Sequence, residues 1–147
     1  METKLRAVLA LAFIGMQTAL ACDGPKSLSG QYIDVRFESD SSEIPVTELA
    51  RLSVWSRDLR SRFPIIDVVW TVGLSEPTEK DARQLAYRRA QNVMNALDQF
   101  AIRGKRSGFI GKVYEPIPEI AQTGRRVEVN VGPGCPDDCC PNPHTVP

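Results

Sequence analysis

Apolar and polar positions follow two different periods along this chain, and each change of period marks an element. In YIDVRF (Tyr32 to Phe37), Ile33, Val35 and Phe37 fall on one side and Tyr32, Asp34 and Arg36 on the other, as in a half-buried strand. From Val46 to Phe63 the apolar residues Leu49, Leu52, Trp55, Leu59 and Phe63 recur at three and four, which predicts an amphipathic helix ended by Pro64. IIDVVWTV (Ile65 to Val72) is almost continuously apolar and β-branched, so a central strand buried on both faces, or nearly so, is expected. In the following GLSEPTEKD, Pro77 suits a first helical turn and Thr78 with Asp81 fits a capping pair. A second helix then runs to about Phe100, with Ala82, Leu85, Ala86, Ala90, Val93, Leu97 and Phe100 on its core stripe. A turn at RGKRSG leads to a Gly-containing strand from Ser107 to Tyr114. After a loop with two prolines, RRVEVNV (Arg125 to Val131) alternates again.

The order is β-α-β-α-β-β, or β-α-β-α-β if the Gly-containing strand is irregular. It predicts an α+β domain whose two helices pack on one side of the sheet. That domain occupies residues 31–132. Residues 1–21 have a basic start at Lys4 and Arg6, an apolar run from Ala7 to Met16 and the small residues Ala19 to Ala21, which is the pattern of a secretory signal. The run is too short to span a bilayer comfortably. Residues 22–30 read as a polar tether, and the Pro-rich residues 133–147 as an extended tail.

Charge narrows the function. Lys plus Arg equals Asp plus Glu, which argues against a nucleic-acid binder. The single histidine, His144, sits in the tail, so no Ser or Cys of the domain has a histidine beside it in the pattern of a nucleophile, and catalysis is not expected. No cofactor motif is present. Attention falls instead on LAYRRAQNV (Leu85 to Val93). Arg88 has Gln84, Gln91 and Asn92 as helical neighbours and faces water. Arg89 has Leu85, Ala86 and Val93, and lies at the edge of the core stripe. A charged head there snorkels outward, pairs with a carboxylate of the domain, or meets an anionic ligand. On the last strand Arg125 begins the face shared by Val127, Val129 and Val131, while Arg126 points the other way.

GLSE, then LAYRRAQNVMNAL, then GFIGKVYEPI and GRRVEV together resemble the OmpA-like peptidoglycan-binding domain. That family reads G-H-T-D, L-S-x-x-R-A-x-x-V-x-x-x-L, a Gly-rich strand with a Pro, and N-R-R-V-E-I. The resemblance covers about residues 31–132 and implies a mixed sheet with helices on one face. It also implies a groove for the cell-wall stem peptide, usually through diaminopimelate. Arg89 then grips a carboxylate through two parallel hydrogen bonds. Glu76 takes the amine, and Arg125, of the Arg125–Arg126 pair, supports the groove. Glu76 replaces the family's Asp, Ala82 its Asn, Ala86 its Ser and Gly124 the Asn before the arginine pair. These losses favour a second reading: an OmpA-like protein-interaction subunit of an envelope complex, with no peptidoglycan binding.

The secretory signal points to the periplasm or cell envelope, a context that favours oxidised thiols. Cys22, directly after the small residues, resembles the lipidated cysteine of bacterial lipoproteins and predicts membrane attachment by lipid. Plain cleavage after Ala21 fits nearly as well. With Cys22 lipidated, Cys135, Cys139 and Cys140 leave one disulfide and one odd thiol. Without lipidation, two disulfides are possible. Cys135 with Cys139 or Cys140 makes a small loop. The spacing of these three thiols with His144 matches no standard metal site.

Overall fold

A computed structural model of the protein describes residues 22, 24–119 and 122–141. The expected leader therefore lies outside the described residues. The elements run β1 (Gln31–Arg36), α1 (Val46–Arg62), β2 (Ile66–Ser75), α2 (Ala82–Gln99), β3 (Arg106–Val113) and β4 (Arg126–Pro133), followed by a 3-10 turn at Pro136–Asp138. The strands form one mixed sheet in the order β1-β4-β2-β3. β4 is antiparallel to both β1 and β2, and β2 is parallel to β3. Connecting two parallel strands requires a crossover, which α2 supplies. The fold is the expected α+β arrangement, and the Gly-containing strand is a regular β3.

The core lies between the sheet and the two helices. Val35 and Phe37, Val69 of β2 and Val127, Val129 and Val131 of β4 meet Leu52 and Leu59 of α1 and Val93 and Leu97 of α2. Small side chains let α2 come close. A Cβ on Gly73 would lie 1.9 Å from the Ala86 carbonyl oxygen, and one on Gly111 would lie 2.3 Å from the Tyr87 nitrogen. The hydroxyls of Thr71 and Ser75 donate to the carbonyls of Ala90 and Ala82, so the polar atoms under the helix are satisfied.

Two expectations about these elements change. β2 is buried along its helix-covered face, while its other face is mixed, with Leu74 buried and Trp70 41% exposed. Both helices cover the same side, so Trp70 instead lies over Gly108 of β3, where a Cβ would be 2.1 Å from its ring. The Thr78–Asp81 capping pair does not form. Asp81 itself is the residue before α2, in a left-handed conformation (φ 48°) with no side-chain cap. Residues 76–80 make a separate turn, in which the Glu79 N–H donates to the Glu76 carbonyl.

The expected tether and tail are tied to the domain. Ser27 bridges Gly134, Leu28 N–H donates to the Pro133 carbonyl, and Cys140 N–H donates to that of Pro25. Disulfides join Cys22 to Cys139 and Cys135 to Cys140. The local loop is thus the Cys135–Cys140 alternative, and its sulfurs are buried. The thiols considered for a metal are spent in these bonds, and His144 lies outside the described residues.

Candidate functional site

Arg89 is the largest fully buried side chain of the described residues. Helical periodicity places it on the sheet side of α2, between Ala86 and Val93. The β1–α1 loop then closes over it. Its Nε donates to the Ser41 carbonyl at 2.8 Å. Nη1 donates to the Leu74 carbonyl at 3.0 Å and to Glu79 Oε2 at 2.9 Å. Nη2 donates to the Glu38 carbonyl at 2.9 Å and to Glu79 Oε1 at 2.6 Å. A guanidinium has five N–H donors, and all five are used inside the chain. The Phe37 ring lies 5.2 Å from the guanidinium carbon.

Glu79 is held as tightly as the arginine that holds it. Besides the two bonds from Arg89, Oε1 accepts the Asp40 N–H at 2.9 Å and Oε2 accepts the Glu76 N–H at 2.8 Å. Burial alone would raise the pKa of this carboxyl. Hydrogen bonds from Arg89 and from the two amides, with the charge of Arg89, outweigh burial and hold the pKa below its ordinary 4.5. Asp40 completes the clasp from the other side, its Oδ1 accepting the Lys80 N–H at 2.7 Å. Asn92 donates to the Ser42 carbonyl at 2.7 Å. Four backbone and side-chain donors therefore converge on one carboxylate, in a seat shared by the β1–α1 loop, the β2–α2 turn and α2.

The other expected site residues lie around this seat in different roles. Glu76 borders it, but its own carboxylate turns to the β4 side, where Oε1 accepts the Gly124 N–H at 2.5 Å. Arg125 contributes backbone: its carbonyl accepts the Phe37 N–H at 2.9 Å, which holds the start of the seat loop to β4. Its half-buried guanidinium makes no ion pair among the described residues. The buried member of the pair is Arg126, on the helix-free face of the sheet. It bonds Glu128 at 2.5 Å and stacks 5.1 Å from the Tyr114 ring.

Of the alternatives for Arg89, pairing with a carboxylate of the domain is realised. The partner, Glu79, was not among the candidates. Its only trace in the sequence is a run of acids at positions 76, 79 and 81 just before a helix that buries an arginine. Cys22 is equally committed: its Sγ is bonded to Cys139. Lipidation uses that same sulfur, so the crosslinked and lipidated forms exclude each other. A surface cavity of about 700 Å³, lined by Ile33, Ala50, Arg51, Val54, Trp55 and Asp58, takes in none of these residues.

The OmpA-like domain of FopA1 from Francisella tularensis superposes with a TM-score of 0.58, over 71% of this chain and 73% of that one, at 17% identity. The chain has the OmpA-like fold. The cell wall anchor of the T6SS from Pseudomonas aeruginosa gives a TM-score of 0.55 at 22% identity, covering 71% of this chain and 82% of that one. The periplasmic domain of Helicobacter pylori MotB (residues 97–256) gives 0.54 at 18%, covering 74% and 86%. No family model and no curated protein matches the chain. In the OmpA-like architecture described here, the seat lies at the end of the sheet where β2 stops and β4 begins, and the disulfides lie where β2 begins and β4 stops.

Proposed function

We propose that this OmpA-like domain is a non-catalytic module of the bacterial envelope that grips the stem peptide of peptidoglycan and so ties an envelope layer to the wall. One observation carries the reading: a carboxylate sits on both ends of the buried Arg89 guanidinium with two backbone N–H groups completing its shell. The seat therefore has the chemistry a stem-peptide carboxylate needs. Glu76, at its rim, is the acid for the ligand ammonium, and Arg125 flanks the groove. The likeness to a cell wall anchor supports the same direction.

A specific observation also favours the second reading, a protein-interaction subunit without wall binding. Every N–H of Arg89 is already engaged, and its side chain is 0% exposed. Attachment to a membrane through Cys22 belongs to the lipidated form, in which Cys139 is released from its disulfide. The intact mass of the mature chain distinguishes that form from the crosslinked one.

The test is co-sedimentation of residues 22–147 with purified sacculi at moderate salt, which screens nonspecific attraction. Wild type is expected in the pellet. Arg89→Lys keeps the charge but loses the planar fork, and is expected to bind at least about tenfold more weakly, in keeping with the 1.5–3 kcal/mol of a charged hydrogen bond. A wild-type protein that stays in the supernatant overturns the first reading.

A further inference from the structure

We infer that Glu79 is a built-in occupant of the ligand seat, an intramolecular carboxylate that any external one must displace. This rests on the reading of Arg89 as a carboxylate-gripping residue and adds how access to it is controlled. The geometry is that of a ligand rather than of a surface ion pair. Both Glu79 oxygens are used, each accepting one N–H from Arg89 and one from the backbone, at 2.6–2.9 Å. The side chain is 2% exposed. Two of these donors, the amides of Asp40 and Glu76, belong to different loops that this carboxylate joins, beside the bond from the Lys80 N–H to Asp40 Oδ1.

The segment that delivers Glu79 is bounded on both sides by regular elements. It is a short turn between the end of β2 at Ser75 and the start of α2 at Ala82. Asp81 at its downstream end is left-handed, a conformation that aspartate adopts more readily than most residues with a Cβ. Asp40, the opposing clasp, is also left-handed, with φ 57°. A ligand carboxylate arriving in the seat restores the four hydrogen bonds. Binding is then an exchange of one carboxylate for another, with Arg89 charged and paired throughout. Occupancy by Glu79 lowers the apparent affinity for any such ligand by the fraction of time the seat is free.

Removing the occupant should convert the seat into an open site for a small carboxylate. The probe is acetate, whose carboxylate reproduces the end of the deleted side chain. Glu79→Ala in 100 mM sodium acetate should melt higher than in 100 mM sodium chloride at the same pH 7, with a rise that saturates with acetate concentration. Wild type and the Glu79→Ala, Arg89→Met double variant should show no difference between the two salts. If Glu79→Ala fails to fold in chloride, its refolding yield from urea in acetate against chloride reads the same binding. No difference between the salts in either readout overturns the inference. Sacculus binding then separates the two readings. If acetate acts and Glu79→Ala also pellets with sacculi more strongly than wild type, seat and ligand class both stand. If acetate acts and nothing pellets, the occupied seat stands and wall binding falls.

Discussion

Arg89 and Glu79 should behave as one unit in a double-mutant cycle of Arg89→Met and Glu79→Leu. Both side chains lie in the interior, 0% and 2% exposed, so neither charge has water to fall back on when its partner goes. Arg89→Met leaves the Glu79 carboxylate buried and takes the donor from the carbonyls of Glu38, Ser41 and Leu74. Glu79→Leu leaves the guanidinium without a counter-ion and the Asp40 and Glu76 amides without an acceptor. Breaking a buried pair from one side destabilises by about 3–5 kcal/mol. This is a large share of the ~5–15 kcal/mol that holds a domain folded. The double variant orphans no charge, so it should fall short of the summed singles by about 2–3 kcal/mol, the upper range for contacting residues. The assay is urea unfolding of the oxidised chain at pH 7. With a slope of ~1–3 kcal/mol per molar urea, each single variant should shift its midpoint by roughly 2 M. Adding 0.5 M sodium chloride should change the coupling little, because a buried pair is weakly screened. Singles that lose less than about 1 kcal/mol, the scale of an exposed pair, or a cycle additive within about 0.5 kcal/mol, would refute the reasoning.

Acid should act through the same pair. The Glu79 pKa is depressed in the folded protein, so its stabilisation is full above the ordinary 4.5 and is lost as pH falls through the lower folded value. Melting temperature should therefore drop below pH 4.5 more steeply for wild type than for Glu79→Gln. Cys22–Cys139 closes a loop of sequence separation 117, against 5 for Cys135–Cys140. Chain entropy then gives about 5 kcal/mol for the first and about 2 for the second, and urea unfolding of Cys139→Ser against Cys135→Ser with Cys140→Ser should keep that order. Gly73→Ala should destabilise by about 1–3 kcal/mol through overpacking, because its Cβ meets the backbone of α2 at 1.9 Å. A thermal melt indistinguishable from wild type would show that α2 shifts away freely.

Much of the fold was readable because single faces carried it. The valines of β4 and the Ala-Leu-Val stripe of α2 have one period each and one side to bury, so strand, helix and orientation follow from spacing. The same logic brought Arg89 to the core and separated it from Arg88. It misjudged β2, whose apolar run satisfies one helix-covered face and one face where Trp70 finds shelter over a glycine on the next strand. Such shelter depends on register across β2 and β3, which no single strand records. Glu79 was invisible for a related reason. Its partner is ten positions away through a turn, and the turn's path depends on left-handed Asp40 and Asp81. Aspartate is among the residues that visit that conformation, but nothing in its neighbours marks which aspartate will do so. The bases of tether and tail were misread because Pro, Ser and Gly signal irregular backbone, whereas two disulfides fix irregular backbone without any periodicity.

The two fixed points of the molecule lie at opposite ends of the sheet, and this bears on the proposed role. β2 starts beside the Pro133 end of β4, where Ser27 meets Gly134 and Cys22 meets Cys139. It ends at Ser75, one residue before the turn that carries Glu76 and Glu79. Ten strand residues at ~3.3 Å each separate the two by roughly 30 Å. A chain attached through its N-terminal end therefore presents the carboxylate seat at the far end, directed away from the attachment. That is the orientation a tether needs if one end belongs to a membrane or partner and the other to the wall. It also gives the Cys22 sulfur a consequence beyond stability. Bonded to Cys139, it draws residues 24–30 against the base and shortens the reach. Were Cys22 to carry lipid instead, the Ser27–Gly134 bridge and the bonds of Leu28 with Pro133 and of Cys140 with Pro25 would still tie residues 25–28 to the base.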